Sequence, residues 1–304
     1  MKNIVRIGTR NSPLALWQAE AVASALQQQQ YETEIIPIVS SGDKNLSQPL
    51  YAMGITGVFT KDLDIALLNN EIDIAVHSLK DVPTKLPENI SLLAYLERDY
   101  PQDVLVRNSQ SKDKPLKDLK VATSSLRRRA FWLKEFENTE FSDIRGNVQT
   151  RLQKLENGIA DATLFSLAGI KRMDLDIAYE MLPFMLSAPS QGVVAVAGRS
   201  DDERIGLIMD KINHKATQIC VEIERQFLQT LEGGCTAPIG AYAQFVSDNQ
   251  ISFSGRLTSL DGKESLEVEE TFIYKNGEDY GVAFAHQLLD NGGAELMESI
   301  KEQL

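Results

Sequence analysis

The sequence predicts an α/β protein whose first two-thirds build parallel sheets and whose last third is a small α+β domain. Three observations predict it. Short apolar runs alternate with helix-period segments up to residue 212, the pattern of strands joined by crossover helices. One run, "IDIAVH" (72–77), is apolar almost without interruption, as a strand buried on both faces must be. Near Asn213 the texture changes to one long helical stripe followed by three alternating runs.

The elements follow in order. "IVRIG" (4–8) reads as the first strand. A helix comes next, with Ser12 as N-cap and Pro13 at its first position, where no intrahelical N–H bond is lost. "EIIPIV" (34–39) is the second strand, and a loop rich in Gly, Ser and Asp then runs to Gly57. "FTKDLDIALLNN" (59–70) is an amphipathic helix leading into 72–77. Further strands are predicted at 90–96, 103–107, 120–124, 142–145, 161–165 and 192–197, with helices at 125–136 and 147–157. "ATQICVEIERQFLQTLEGG" has apolar residues at 216, 219, 220, 223, 227 and 231, a helix stripe ending at Gly233. Strands near 239–246, 250–258 and 266–274 and helices near 280–290 and 293–303 complete the chain.

Composition narrows the function. The 304 residues are 43% hydrophobic and 24% charged, with a net charge of −12, so general binding to nucleic acid or an anionic membrane is not expected. No apolar run reaches membrane-spanning length. The opening "MKNIVRIGTRNSPLALWQ" is broken by Arg6, Arg10 and Pro13 and does not resemble an export signal, so a reducing cytoplasm is the expected compartment. Two cysteines make no disulfide framework, and their spacing with three histidines matches no zinc site; no metal is expected.

Within this acidic chain the arginines concentrate: Arg127, Arg128, Arg129, Arg145, Arg151 and Arg172 share one central segment. Three strand-to-helix junctions repeat one chemistry: "RIGTRNSP" (6–13), "VATSSLRRR" (121–129) and "IRGNVQTR" (144–151). Each ends a strand, supplies a capping residue, opens a helix and carries arginine. A helix N-terminus offers unpaired N–H groups and partial positive charge, and arginine adds a bidentate grip on carboxylate or phosphate. One such junction alone is better read as a capped helix with a solvated face. Three together predict a cleft for a ligand bearing several negative groups, at the carboxyl ends of the strands. No nucleotide-binding glycine motif appears, which favours carboxylates over nucleotide phosphates.

"HSLKDVPTKLP" (77–87) places Lys80 beside Asp81 just past the buried strand. Asp81 suits two jobs there: handling protons or a developing cation, with its ionisation tuned by Lys80 and burial, or starting the turn into Pro83. His77 reads as a packed strand-end residue and Cys220 as a small core residue. Cys235, in "LEGGCTAP" (231–238), reads as a loop thiol with no partner histidine in any recognisable signature.

These segments also carry a resemblance. "RIGTRNSPLALWQ", "DIAVHSLKDVPTKLP", "TSSLRRR", "IRGNVQTRLQKLENG", "AGIKRM" and "LEGGCTAPIG" occur in the order and spacing of the porphobilinogen deaminase (hydroxymethylbilane synthase) family, from residue 4 to about 245. The resemblance implies two lobes like those of periplasmic binding proteins, 1–96 plus 191–212 and 100–187, and a third domain, 213–304, carrying the cysteine loop. It implies a transferase that joins four porphobilinogen molecules head to tail, releases ammonia, and yields hydroxymethylbilane for tetrapyrroles such as haem. It implies a dipyrromethane cofactor held by thioether to the position matched by Cys235. By the same match Asp81 is catalytic, stabilising the cationic azafulvene and pyrrole N–H groups. Lys80, Asp81, Ser125, Arg127, Arg128 and Arg145 would hold the cofactor, and Arg10, Ser12, Arg145, Arg151 and Arg172 the substrate. A monomer is implied.

The chain departs from the family in three places. "AMGITGVF" has Ala52 and Thr56 where "KVGGKGLF" has lysines, "SAPSQG" (187–192) replaces "PAVGQG", and Gln102 replaces the arginine of "DPRD". A non-catalytic solute-binding protein and a nucleic-acid binder using "RRR" are the other classes. The lack of an export signal and the placing of Cys235 oppose the first; charge and the lack of interleaved aromatics oppose the second.

Overall fold

β1 (Ile4–Arg10) and β2 (Glu32–Ile38) run parallel, joined by α1 (Pro13–Gln28). Pro37 is tolerated in β2 because that strand lies at the sheet edge. α2 (Lys61–Leu68) leads to β3 (Ile74–Ser78), parallel to β1, and then to β4 (Ile90–Tyr95). Next come β5 (Asp103–Arg107), β6 (Val121–Ala122), α3 (Leu126–Glu135), β7 (Phe141–Ser142) and α4 (Val148–Glu156). β8 (Ala162–Ser166), α5 (Leu167–Arg172), β9 (Glu180–Met181), β10 (Val194–Arg199) and α6 (Glu203–Met209) follow. The last part holds α7 (Lys215–Thr230), β11 (Ile239–Ser247), β12 (Gln250–Thr258), β13 (Ser265–Ile273), α8 (Tyr280–Leu288) and α9 (Ala294–Glu302).

This computed structural model describes residues 4–39, 60–231 and 237–304. They fall into two units: 4–39, 60–99 and 192–219 form the first, and 100–191, 220–231 and 237–304 the second. The first unit contains the sheet β2-β1-β3-β10-β4, and the second contains β7-β6-β8-β5-β9 together with the antiparallel β11-β12-β13. The two five-stranded sheets are topologically the same, strand for strand. In each, three parallel strands meet an antiparallel strand from a distant part of the sequence: β10 beside β3, and β5 beside β8. The predicted parallel sheets are therefore mixed sheets. The reason the sequence did not distinguish them is that β5 and β10 are buried on both faces and carry the same unbroken apolar run as a parallel strand.

Side-chain alternation splits each sheet between two cores. In the first unit Val5, Ile7, Ile74 and Val76 pack with Val22 and Leu26 of α1, whereas Ala75 and Ala197 face Leu63 and Leu67 of α2. In the second, Leu105, Val121 and Leu164 pack with Phe131 and Trp132 of α3, whereas Val104, Val106 and Phe165 face Leu155 and Ile170. Each fully buried Ile, Leu or Phe contributes about 1.5–3 kcal/mol.

Within the second unit the three-stranded sheet covers α7 through Phe227 and Phe253, with ring centroids 5.2 Å apart. A Cβ on Gly255 would lie 2.6 Å from Phe227 Cζ, so the glycine lets sheet and helix close. The same sheet meets α3. Glu267 of β13 pairs with Lys134 at 2.6 Å and with Arg256 at 2.9 Å, and Ala241 N donates to Ser187 O at 3.1 Å. In "SAPSQG", Ser190 has φ 68, the left-handed region where the family pattern has glycine, and its N–H donates to buried Glu224 at 2.6 Å.

Candidate active site

In the first unit, candidate residues gather where β1 and β3 end. Ser12 Oγ accepts from Ala15 N at 3.3 Å and caps α1, with Pro13 opening the helix as its fixed φ favours. Thr9 Oγ1, wholly buried, donates to Ala15 O at 2.9 Å and fastens the strand end to the helix. The β1–β3 register pairs Ile7 with Ile74 and Gly8 with Ala75, which carries Arg10 level with His77. His77 is buried, and burial first, then the charge of Arg10, pushes its imidazole down to about 4. The ring is neutral at pH 7 and packs rather than reacts, as its place in the sequence suggests.

Gln18 Nε2 donates to Ser78 Oγ at 2.7 Å, tying α1 to the end of β3. The chain then makes one 3-10 turn, Leu79–Asp81, with buried Leu79 donating its N–H to Val193 O at 3.0 Å. This turn leaves Lys80 half-buried and Asp81 exposed. Of the two settings the sequence allows for Asp81, the structure has the open one: the turn into Val82 and Pro83 carries it off the sheet, and it is not buried.

The second unit repeats the plan with more charge. Ser125 Oγ accepts from Arg128 N at 3.4 Å and caps α3; Asn147 Oδ1 accepts from Thr150 N at 2.8 Å and caps α4. Between Arg145 and that cap Gly146 has φ +117, and a Cβ there would lie 2.7 Å from Thr150, so only glycine makes this entry. Ser124 Oγ donates to Ile144 O at 3.1 Å and accepts from Ile144 N at 3.0 Å, locking the ends of β6 and β7 together. Arg172, at the end of α5, is buried.

Arg127 and Arg128 do not form a solvated face. Both are buried against Asp103, the first residue of β5, which has no exposed surface. Arg127 Nη2 meets Oδ2 at 2.7 Å; Arg128 Nη2 and Nε reach Oδ1 at 2.7 and 3.2 Å. Arg127 Nη1 donates to Leu186 O at 2.6 Å, and Arg128 Nη1 to Leu164 O at 2.8 Å. Arg151 from α4 donates to the same Leu164 O at 2.7 Å and lies 4.5 Å over the Phe165 ring. Its Nε is buried with no hydrogen-bond partner among the described residues. Burial and the neighbouring Arg128 push its guanidinium down, to about 9, while Asp103 pulls the other way. Among the described residues, one carboxylate meets Arg127 and Arg128 while Arg151 shares Leu164 O with Arg128, which leaves a surplus of positive charge that an anionic ligand would relieve. Arg129 turns elsewhere, to Asp143 at 2.7 Å.

Asp103 and Gln191, whose Nε2 donates to Asp103 Oδ1 at 3.1 Å, were not singled out in the sequence. The available signal was an aspartate opening the apolar run of "DVLVR", 24 residues before the arginine cluster "RRR". Cys235, Ala52 and Thr56 lie outside the described residues. On the carboxyl side of the cysteine segment, Gly240 of β11 packs against Phe131 of α3, its Cβ position 2.9 Å from Phe131 Cε2. The chain thus enters β11 against the helix that bears Arg127 and Arg128.

The family model "Porphobilinogen deaminase, dipyromethane cofactor binding domain" matches residues 5–206, and "Porphobilinogen deaminase, C-terminal domain" matches 218–290. The chain belongs to the porphobilinogen deaminase family. A porphobilinogen deaminase from Geobacter sulfurreducens is 40% identical over 99% of this chain and 96% of its own length. One from Cytophaga hutchinsonii is 41% identical over 100% and 99% respectively. Among solved structures, an amino-acid ABC transporter extracellular-binding protein of Bacillus subtilis, described as probable, is 15% identical with a TM-score of 0.45, covering 70% of this chain and 90% of that one. For this porphobilinogen deaminase family member, no helix among the described residues is long and apolar enough to cross a membrane.

Proposed function

We propose that this enzyme condenses four porphobilinogen molecules on a dipyrromethane primer attached by thioether to Cys235. The observation that carries the reading is the buried surplus of guanidinium charge from Arg127, Arg128 and Arg151 around Asp103. Porphobilinogen and the primer both carry acetate and propionate arms, and planar carboxylates match guanidinium forks. The orphaned Arg151 Nε and the capped helix ends beside it fit such a group. When bound, the primer supplies the pyrrole carbon to which the first unit is joined.

Each unit supplies carboxylate-binding residues of its own. In the second, Ser125, Arg127, Arg128 and Arg145 hold the primer's carboxylates, and Arg145, Arg151 and Arg172 those of substrate. In the first, Arg10 and Ser12 bind substrate arms and Lys80 assists with the primer. Asp81 carries the chemistry: its carboxylate would face the pyrrole N–H groups and stabilise the positive charge that develops as the C–N bond of the aminomethyl group breaks and ammonia departs. The new C–C bond releases the proton from the attacked pyrrole carbon. Overall, four porphobilinogen and one water give hydroxymethylbilane and four ammonia.

The chain works as a cytoplasmic monomer in this reading, in three domains: 1–96 with 191–212, 100–187, and 213–304. Incubation with porphobilinogen tests it. Ammonia and hydroxymethylbilane should appear in a ratio of about four to one; unchanged porphobilinogen would sink the reading.

A further inference from the structure

We propose that Asp103 is a positioning residue, which aims Arg127 and Arg128 at the carboxylate arms of the ligand by holding one guanidinium on each of its oxygens. The inference rests on the function proposed above. Its starting point is a conflict between helix geometry and the observed contacts. Arg127 and Arg128 are consecutive on α3, so their side chains leave the helix about 100° apart. Both nevertheless converge on one carboxylate, Arg127 at Oδ2 and Arg128 at Oδ1, each at 2.7 Å.

The anchor itself is rigid. Asp103 belongs to β5, paired with Ser166 of β8, and Gln191 donates to its Oδ1 while also holding Pro101 O at 2.7 Å. A carboxylate with no exposed surface, fixed by strand and amide, cannot follow its partners, so they must conform to it. Nor does it cancel them. Among the described residues one negative charge meets Arg127 and Arg128, and Arg151 shares Leu164 O with Arg128, so positive charge is left over for a ligand. A full set of internal counter-ions would silence the site. A single one orients the forks and leaves the site attractive to carboxylate.

The test compares three variants of the full chain, produced in cells that make porphobilinogen. Asp103→Asn removes the charge at nearly constant shape. Asp103→Glu keeps the charge but displaces it by one methylene. Val104→Ala, on the opposite face of the same strand, weakens the core without touching an arginine. Intact mass gives the fraction of molecules carrying the primer, kinetics on the loaded fraction give KM and kcat, and near-UV circular dichroism reports the fold.

For Asp103→Asn the loaded fraction should fall about tenfold, the loss expected for charge-assisted hydrogen bonds set out of line, and KM for porphobilinogen should rise about tenfold with kcat within about threefold, because Arg151, which binds substrate, shares Leu164 O with Arg128 and shifts with it. Asp103→Glu should fold and show an intermediate rise in KM. Val104→Ala should lower the melting temperature yet load and bind normally. The proposal is overturned if Asp103→Asn matches wild type in loading and KM, or if Val104→Ala loses as much at an equal loss of stability. Failure of both Asp103 variants to fold would also overturn it, leaving Asp103 as a staple of the fold. If the wild-type chain itself neither loads nor consumes porphobilinogen, the functional reading fails, and this inference with it.

Discussion

Lowering the pH from 7 to 5 should loosen the first unit, and His77 supplies a calculable part of the effect. The imidazole is buried beside Arg10, and its value falls from 6.5 to about 4. Between these values the unfolded chain takes up a proton that the folded chain refuses. Stability is therefore intact above about pH 6.5 and is lost as pH falls toward 4. With those two values the loss is about 2 kcal/mol at pH 5 and approaches about 3 kcal/mol near pH 4. Hydrogen exchange of the β1 and β3 amides, corrected for intrinsic rates, reads this unit by itself. Openings that expose His77 should become about 20-fold more frequent at pH 5 relative to pH 7. In His77→Gln that share of the pH dependence should vanish, leaving only what the carboxylates contribute. An equal pH dependence in variant and wild type would refute the placement of Arg10 beside a buried, neutral His77.

The remaining predictions concern chemistry and packing. Asp81 is exposed on its turn, so Asp81→Ala should keep the melting temperature while slowing ammonia release by about 100-fold or more; a near-normal rate would remove Asp81 from the reaction. Gly281 faces α7 so closely that a Cβ would lie 2.1 Å from Ile223 O, a backbone atom that cannot swing aside. Gly281→Ala should destabilise the second unit by about 2 kcal/mol or more and lower its melting temperature by about 4–8 °C, measurable by calorimetry. An unchanged melting temperature would mean that the two helices separate freely.

Much of this was legible in the sequence, for local reasons. The Ser12–Pro13 helix start, the strand 103–107 and the hairpin strand 250–258 all depend on neighbouring residues, and the structure places them where the pattern does. Cys220 packs into the core from the apolar stripe of α7. What was hidden depends on distant partners or weak signals. β9 is two residues long and exposed, and α5 and α6 are too short for a clear period. The antiparallel course of β5 and β10 is set by long connections that leave no mark on an apolar run. The candidate site divides in the same way. Its caps, arginines and strand ends were readable. The burial of "RRR" was not, because Asp103 lies 25 residues upstream of Arg128 and joins it only once the sheet has formed. The sequence left Asp81 between a buried setting and a turn, and the direction of that single turn decides it.

The most direct test of the central claim is the intact mass of the purified protein, beside that of Cys235→Ser, from cells with a working tetrapyrrole pathway. The account predicts a wild-type mass exceeding that of the polypeptide by two linked pyrrole units, and a variant with no excess. A wild-type chain at the bare polypeptide mass, or a variant that keeps the excess, would contradict it.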